Sequence, residues 1–402
     1  NNNNNNNNNN KNHSYQLYYR ILRPENLSSS KLAPIIALHG GPGLPSNYLL
    51  PLADAIPHRS IILYDQLGCG QSDSPENIIM PHSTGGGSQQ EKVDDSSLLN
   101  PSSSSSSSAI YSIQRSVLDL HQLIQHLGLH KFHLYGHSYG GMLAYEYIKW
   151  IAEIALLDDS FDDDDHKIDH YHHHHHKKSH DKRNSNITCL SVVLSSTPSN
   201  IEQMERNSEL LQNRLKEEQI TIPKTSSTLQ LTPEELFQKI HFCRTQTIPR
   251  ALMDAYAGLS KTWFGTSVIM DYIATPPIHN GDKSKQIPHI LLPPVMAMVG
   301  EHDFVTTEYG IDAWKKIWIG SCTNQNKDTL NEEEDQEQQE QDDNATNKST
   351  HGNNSSSVII SRNGSFRSRV LSGCSHMGLL EDGSIYGNVL EQFFKEFDEI
   401  ES

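Results

Sequence analysis

Short apolar runs alternate with amphipathic stretches along most of the chain. The runs are rich in β-branched residues and are bounded by glycine or proline, a pattern that predicts buried strands. They cover residues 15–22, 33–39, 59–65, 131–135, 189–195, 295–299 and 366–371. Apolar residues recur at helical spacing in residues 113–127, 142–150, 311–317 and 389–397. This repetition of strand and helix is typical of an α/β fold with a mostly parallel sheet.

The alternation stops between residues 198 and 287, where apolar positions recur at helical spacing and prolines divide the segment. A helical segment between two strands of a parallel sheet is best explained as a cap over the carboxyl ends of the strands, where such sheets bind ligands. We therefore predict a core of residues 15–197 and 288–402 with a helical cap at 198–287.

The composition indicates that only part of the chain forms the folded domain. Only 35% of the residues are apolar, below the value of about 45–50% that is typical of globular chains. The deficit lies in an Asn-rich tail and three low-complexity inserts. These are residues 1–14, 83–108, 158–186 and 321–357. The remaining roughly 300 residues form one large domain, or one domain with a lid.

Charge and cysteine content indicate the compartment and exclude several partners. The net charge of −17 is concentrated in the acidic runs of the last two inserts, and the remainder is mildly acidic, so neither nucleic acid nor an anionic membrane is an expected partner. The five cysteines are scattered without a CxxC pair, which favours a reducing compartment. No apolar stretch reaches the roughly 20 residues of a membrane helix, and no secretory signal is visible. We expect a cytoplasmic protein.

The sequence predicts neither a metal nor a cofactor. It lacks the GxxxxGK[ST] loop that binds phosphates, and GCG at residues 68–70 lacks the third glycine of a dinucleotide-binding motif. Five consecutive histidines at residues 172–176 have no fixed geometry, whereas functional metal sites orient each ligand through further partners.

The sequence GHSYG at residues 136–140, between a predicted strand and a predicted helix, fits the nucleophile-elbow pattern GxSxG. Small flanking residues are needed because a serine on such a sharp turn brings neighbouring backbone into close contact. At a helix N-terminus, free N–H groups also favour negative charge that develops nearby. Ser138 is therefore the candidate nucleophile.

A serine nucleophile requires a base and an orienting carboxylate, in the order Ser, Asp or Glu, His along the chain for this arrangement. GEHD at residues 300–303 follows one predicted strand, and GCSHMG at 373–378 follows the next. We predict Asp303 as the carboxylate and His376 as the general base. Glu301 and His302 are the rival acid and base.

The sequence HGGPG at residues 39–43 follows a predicted strand and supplies a candidate oxyanion hole. One N–H group would come from Tyr139, the residue after the nucleophile, and the other from Gly41 in the glycine-rich loop. Glycine lets the backbone approach a substrate carbonyl closely.

These motifs together resemble those of the proline iminopeptidase (prolyl aminopeptidase) family of α/β-hydrolase serine peptidases. The specific part is HGGPG followed by YDQLGCGQSD at residues 64–73; GHSYGG, GEHD and SHMGLLED add to it. The resemblance extends over essentially all of the chain outside the inserts. It implies an α/β-hydrolase fold with a helical cap, no cofactor, and release of an N-terminal residue, often proline, from a small peptide or amide.

The family also implies glutamates that bind the free amine of the substrate. In their places this sequence has residues 263–267 of the cap and Phe304, so neither glutamate is evident. Either another acid takes the role, or the substrate has no free amine, since an unpaired buried ammonium is costly. The candidate acids are Asp254, Asp271 and Glu301, and the aromatic residues that could pack on a prolyl ring are Tyr139, Trp263, Phe264 and Phe304.

Three functions follow from the sequence. The first is a serine aminopeptidase that releases N-terminal residues, proline above all, through an acyl-enzyme. The second keeps the fold and acts on amino-acid amides, esters or lactones. The third is a catalytically inactive interaction scaffold, against which the intact order of Ser138, Asp303 and His376 argues.

Overall fold

A computed structural model describes residues 15–24, 32–75, 111–159, 187–221, 231–277, 292–320 and 365–398. The Asn-rich tail and the inserts at 83–108 and 321–357 lie outside these ranges, as do residues 160–186 of the remaining insert and the predicted cap boundary at 287.

Seven strands form one sheet in the described part of the chain. They are β1 (Tyr19–Leu22), β2 (Ile35–Leu38), β3 (Ile61–Tyr64), β4 (Lys131–His137), β5 (Thr188–Ser195), β6 (Val295–Gly300) and β7 (Phe366–Leu371). Their order is β1-β3-β2-β4-β5-β6-β7, and only the pairing of β1 with β3 is antiparallel. The predicted α/β fold with a mostly parallel sheet is confirmed.

Nine α-helices lie within the described ranges. They are α1 (Leu52–Ala55), α2 (Ile113–His126), α3 (Tyr139–Asp159), α4 (Ile201–Thr221), α5 (Pro233–Phe237), α6 (Arg250–Ala257), α7 (Ala313–Gly320), α8 (Gly378–Glu381) and α9 (Gly383–Asp398). Local signals set their ends: Ser112 caps α2 by accepting a hydrogen bond from the Arg115 amide, and Gly128 follows that helix at a φ of 62°. None of the helices described here is both long and apolar enough to cross a bilayer.

The sheet is covered on both faces. Along β2, Ile36 and Leu38 contact the core cluster that includes α2 and α3, whereas Ile35 and Ala37 contact the cluster that includes α9. Successive side chains of a strand point to opposite faces, so a strand buried on both sides is apolar throughout. This explains why the central strands appear in the sequence as continuous apolar runs.

The described residues between β5 and β6 are mainly helical, as the sequence predicts. Helices α4 and α5 are followed by a helical turn at Gln238–Phe242, by α6 and by a further helical turn at Thr266–Ile269. The prolines begin helices here: Pro233 is the first residue of α5 and Pro249 directly precedes α6. Proline suits the first turn because that N–H group has no partner within the helix.

A buried ion pair lies at the amino ends of the strands. Arg59 precedes β3, and its guanidinium donates to both carboxylate oxygens of Asp398, the last residue of α9, at 2.6 and 2.5 Å. His133 of β4 donates to the same carboxylate at 3.1 Å. Burial alone would raise the pKa of Asp398, but the hydrogen bonds from Arg59 and His133 outweigh it and hold this pKa well below its usual range.

Candidate active site

Ser138 occupies the turn between β4 and α3 with a φ of 55°, a conformation that non-glycine residues rarely adopt. A Cβ atom on Gly136 would lie 2.3 Å from the carbonyl oxygen of Gly140, and one on Gly140 would lie 2.1 Å from that of Leu38. The amide of Ser138 donates to the carbonyl of Ser195 at 2.8 Å. The two glycines of the motif are therefore required by close backbone contacts around the serine.

Asp303 and His376 come together after neighbouring strands. Nδ1 of His376 lies 2.9 Å from Oδ1 of Asp303, and both residues are buried. A carboxylate oxygen only accepts hydrogen bonds, so Nδ1 carries the proton and Nε2 of the neutral imidazole keeps its lone pair. The same Oδ1 atom accepts from the amide of Val305 at 2.9 Å, which fixes the carboxylate.

Ser138 and His376 line one cavity of about 320 Å³, together with Gly41 and Tyr139. The rest of its wall is largely apolar. It includes Leu44, Met142, Ile201, Met204, Phe242, Phe264, Ile269, Phe304 and Val305. Within the described part of the chain, no Asp, Glu, Lys or Arg side chain is part of this wall.

The glycine-rich loop after β2 reaches this cavity in a conformation that requires glycine. Gly41 has a φ of 118°, and a Cβ on it would lie 2.6 Å from the amide nitrogens of Gly43 and Leu44. A Cβ on Gly43 would lie 2.1 Å from the carbonyl oxygen of Trp263 in the cap. The loop therefore packs tightly against its own backbone and against the cap. That Gly41 and Tyr139 donate to an oxyanion stays a prediction.

The second motif, residues 64–73, holds this loop in place. The carboxylate of Asp65 accepts from the amide and the hydroxyl of Ser46 at 2.9 and 2.7 Å. Gln66 donates its amide to Nε2 of His39 and its side chain to the carbonyl of His39, both at 2.9 Å. The two motifs therefore form one hydrogen-bonded unit beside Ser138.

The cap contacts the candidate catalytic loops through its main chain. The amides of His376 and Met377 donate to the carbonyls of His241 and Phe242 at 3.2 and 2.8 Å. Nδ1 of His241 donates to the carbonyl of His302 at 2.8 Å, next to Asp303. Sequence reasoning missed this role, because a carbonyl acceptor is common to every residue and leaves no signal in the sequence.

Two residues that the sequence places at the substrate lie elsewhere. Trp263 stacks on Tyr111, with ring centroids 5.6 Å apart, and lines a neighbouring pocket. The exposed carboxylate of Glu301 accepts from the amide of Gly373 and the hydroxyl of Ser372 at 2.8 and 2.9 Å. These bonds lower its pKa, and Glu301 is not among the residues that line the cavity. Of the predicted substrate-binding residues, Phe264 and Phe304 do line the cavity.

The other rivals are also outside this wall. Asp254 pairs with the exposed Arg250 at 2.8 Å, and Asp271 lines the neighbouring pocket. His302 is one residue from Asp303, yet its ring is not part of the cavity wall. The described residues contain no group of three or more His, Cys, Asp or Glu side chains that could hold a metal ion.

Known proteins resemble this chain in sequence and in fold. Residues 33–149 match the family described as the alpha/beta hydrolase fold. The chain is 35% identical over 136 residues to the proline iminopeptidases of Lactobacillus crispatus (strain ST1) and Lactobacillus helveticus (strain DPC 4571), a match that covers 33% of this chain and 35% of each relative. The chain thus spans about a third of the length of these relatives.

A solved structure supports the fold over a longer range. The proline iminopeptidase of Mycobacterium smegmatis aligns with a TM-score of 0.53 and 19% identity, and the alignment covers 96% of each chain. The chain therefore has the α/β-hydrolase fold. The resemblance to the proline iminopeptidase family that the motifs indicate is confirmed by the curated relatives.

Proposed function

We propose that this protein is a serine hydrolase that forms an acyl-enzyme on Ser138. The observation that carries the proposal is that Ser138, His376, Gly41 and Tyr139 line one cavity while Asp303 binds Nδ1 of His376. Hydrolysis by this arrangement requires a nucleophile, a base of fixed tautomer and donors for the oxyanion.

The reaction follows from these positions. The Oγ atom of Ser138 attacks the substrate carbonyl while Nε2 of His376 takes its proton. The amides of Gly41 and Tyr139 donate to the developing oxyanion. The imidazolium then protonates the departing amine or alcohol, which leaves an ester on Ser138. Water attacks this ester, with His376 again as the base, and releases the acid and the free serine.

For the substrate we propose first an N-terminal prolyl residue of a small peptide or amide. The relatives named proline iminopeptidase support this choice. The apolar wall supports it as well, since Phe242, Phe264 and Phe304 offer faces on which a pyrrolidine ring can pack.

A second substrate class is favoured by the absence of a carboxylate among the cavity residues that the structure describes. The free amine of a prolyl residue is largely cationic at neutral pH, and an ammonium without a carboxylate partner is costly to bury. Amides, esters or lactones with an uncharged acyl group avoid this cost. The two classes differ in the charge that the cavity must accept.

A serine-reactive fluorophosphonate tests the chemistry independently of the substrate. We expect it to label the wild type and not Ser138→Ala. Ser208→Ala is the matched control, because Ser208 is a buried serine whose hydroxyl donates to the Met204 carbonyl outside the catalytic arrangement. A wild type that does not label would favour the inactive scaffold, and labelling of Ser138→Ala would contradict the assigned nucleophile.

A matched pair of substrates then distinguishes the two classes. Prolyl-arylamide and N-acetylprolyl-arylamide differ in the charge of the prolyl nitrogen and present the same leaving group. A prolyl aminopeptidase should cleave only the first at a useful rate. Preference for the acetylated compound would instead support the uncharged class.

A further inference from the structure

Tyr48 and His137 form a buried bridge between the glycine-rich loop and the loop of His376. The amide of Gly40 donates to the Tyr48 hydroxyl at 2.7 Å. That hydroxyl lies 2.9 Å from Nδ1 of His137, and Nε2 of His137 lies 2.9 Å from the carbonyl oxygen of His376. Tyr48, His137 and His376 are all less than 5% exposed.

The direction of every hydrogen bond in this bridge is determined. The carbonyl of His376 only accepts, so Nε2 of His137 carries the proton and Nδ1 is an acceptor. The Tyr48 hydroxyl therefore donates to Nδ1 and uses an oxygen lone pair for the Gly40 amide. Burial, followed by the neighbouring His376, lowers the pKa of His137 to about 3, so its ring stays neutral near pH 7.

We propose that Tyr48 and His137 are positioning residues that hold the oxyanion loop and the general base in register. This inference rests on the proposed function of Ser138 and His376. Gly40 directly precedes the predicted donor Gly41, and the His376 carbonyl belongs to the same residue as the base. The bridge thus connects the two groups that must approach Ser138 from different loops.

The packing around the bridge supports this role. The rings of His137 and His376 lie 4.8 Å apart between centroids, and the Tyr48 ring meets the His137 ring edge-on at 5.3 Å. The Ser196 hydroxyl also donates to the His376 carbonyl, at a longer distance of 3.4 Å. Loss of the bridge would leave the backbone of His376 with this weaker side-chain contact and the cap contact at its amide.

The test begins with Tyr48→Phe, which keeps the ring and removes the hydroxyl. We expect kcat to fall about 10- to 100-fold, as misplacement of catalytic groups by about 1 Å produces, with KM within about twofold. Tyr147→Phe is the matched control: the buried Tyr147 hydroxyl lies 3.3 Å from Nδ1 of His121, and neither residue lines the cavity. It should retain wild-type kcat.

Two substitutions of His137 each keep one of its two hydrogen bonds and so test the two ends of the bridge individually. Glutamine places an amide near the position of Nε2 and can still donate to the His376 carbonyl, whereas asparagine places one near Nδ1 and can bond only to Tyr48. A bridge fails when either end is broken, so we expect His137→Gln and His137→Asn each to lose kcat to about the same extent as Tyr48→Phe. Wild-type kcat in either variant, at unchanged stability to urea, would show that one end is dispensable and would overturn the proposal.

A double-mutant cycle completes the test. If the two residues act as one bridge, Tyr48→Phe combined with His137→Asn should reduce kcat no further than the larger single change does. Multiplied losses would show independent effects and overturn the proposal. Fluorophosphonate labelling of the wild type is measured in parallel, because its absence would refute the proposed function rather than the bridge.

Discussion

Phe304 packs its ring on the imidazole of His376, with centroids 4.3 Å apart and planes inclined by 30°. Asp303, the residue before it, binds Nδ1 of the same imidazole. Two consecutive residues after β6 therefore orient the imidazole of His376: Asp303 binds its Nδ1 atom and Phe304 packs on its ring. Phe242 of the cap stacks on the same imidazole at 5.7 Å.

Truncation of Phe304 should therefore affect the chemical step. We expect Phe304→Ala to lower kcat about tenfold or more, because the imidazole loses packing that orients it. Phe264→Ala is the control, since Phe264 lines the same cavity, is 44% exposed and has no ring contact with His376 among the described residues. It should mainly raise KM. Steady-state kinetics of both variants on one arylamide checks this, and equal effects on kcat would contradict it.

Removal of the Asp303 charge should nearly abolish activity while the fold remains. The amide that Asp303→Asn introduces could present an N–H group to Nδ1 and favour the wrong tautomer of His376, so this variant should lose about 10⁴-fold in kcat. Glu301→Gln is the matched comparison, because that carboxylate binds Gly373 and Ser372 outside the cavity. It should leave kcat close to wild type. The reverse outcome would make Glu301 the catalytic acid.

Substitution of Gly70 should cost more unfolding free energy than its positive φ alone explains. Gly70 and Gly128 have φ values of 59° and 62°, but a Cβ on Gly70 would lie 2.1 Å from Oδ2 of Asp65, whereas one on Gly128 would meet nothing within 4 Å. Gly128→Ala should cost about 1–2 kcal/mol of unfolding free energy. Gly70→Ala should cost about 1–3 kcal/mol more. Urea unfolding measures both, and equal costs would mean that Asp65 moves freely.

The buried carboxylate of Asp398 makes the free energy of unfolding depend on pH. Its pKa is lowered in the folded protein, so its contribution is complete above the unfolded pKa of about 4 and is lost as pH falls through the lowered folded value. Asp398→Asn should cost at most about 3–5 kcal/mol at pH 7, because it leaves the buried Arg59 charge with only the carboxylate of Glu391, 3.6 Å from its Nε atom.

The control for this change is Asp254→Asn, which removes an exposed ion pair and should cost less than about 1 kcal/mol. The difference in unfolding free energy between wild type and Asp398→Asn should shrink on acidification below about pH 4. A difference that stays constant from pH 7 to pH 2 would contradict the assigned pKa direction.

The sequence predicted those parts of the site that depend on local pattern and chain order. The elbow at Ser138 has a short motif, and Asp303 and His376 each follow a strand in the order that this fold requires. That reasoning left Glu301 and His302 open as the rival acid and base, and the structure places Asp303 and His376 in contact.

The remaining parts depended on information that is not local. Trp263 and Phe264 are adjacent aromatic residues, and only Phe264 lines the cavity, because Trp263 stacks on Tyr111 from a distant part of the chain. The cap accepts hydrogen bonds from the loop of His376 through the carbonyls of His241 and Phe242. Such main-chain contacts cannot be predicted from the type of side chain. The role of Tyr48 likewise depends on the position of His137, 89 residues later.

The charged cluster of Arg59, His133 and Asp398 lies at the amino ends of the strands, and the cavity lies at their carboxyl ends. His133 and Ser138 are five residues apart along β4 and its turn, or about 16 Å in extended chain, beyond the roughly 7–10 Å within which substitutions usually interact. Substitutions that raise stability at the amino ends and substitutions that change substrate preference at the carboxyl ends should therefore have nearly additive effects. A variant library aimed at new acyl groups should be built on a background first made heat-resistant at the amino ends of the strands.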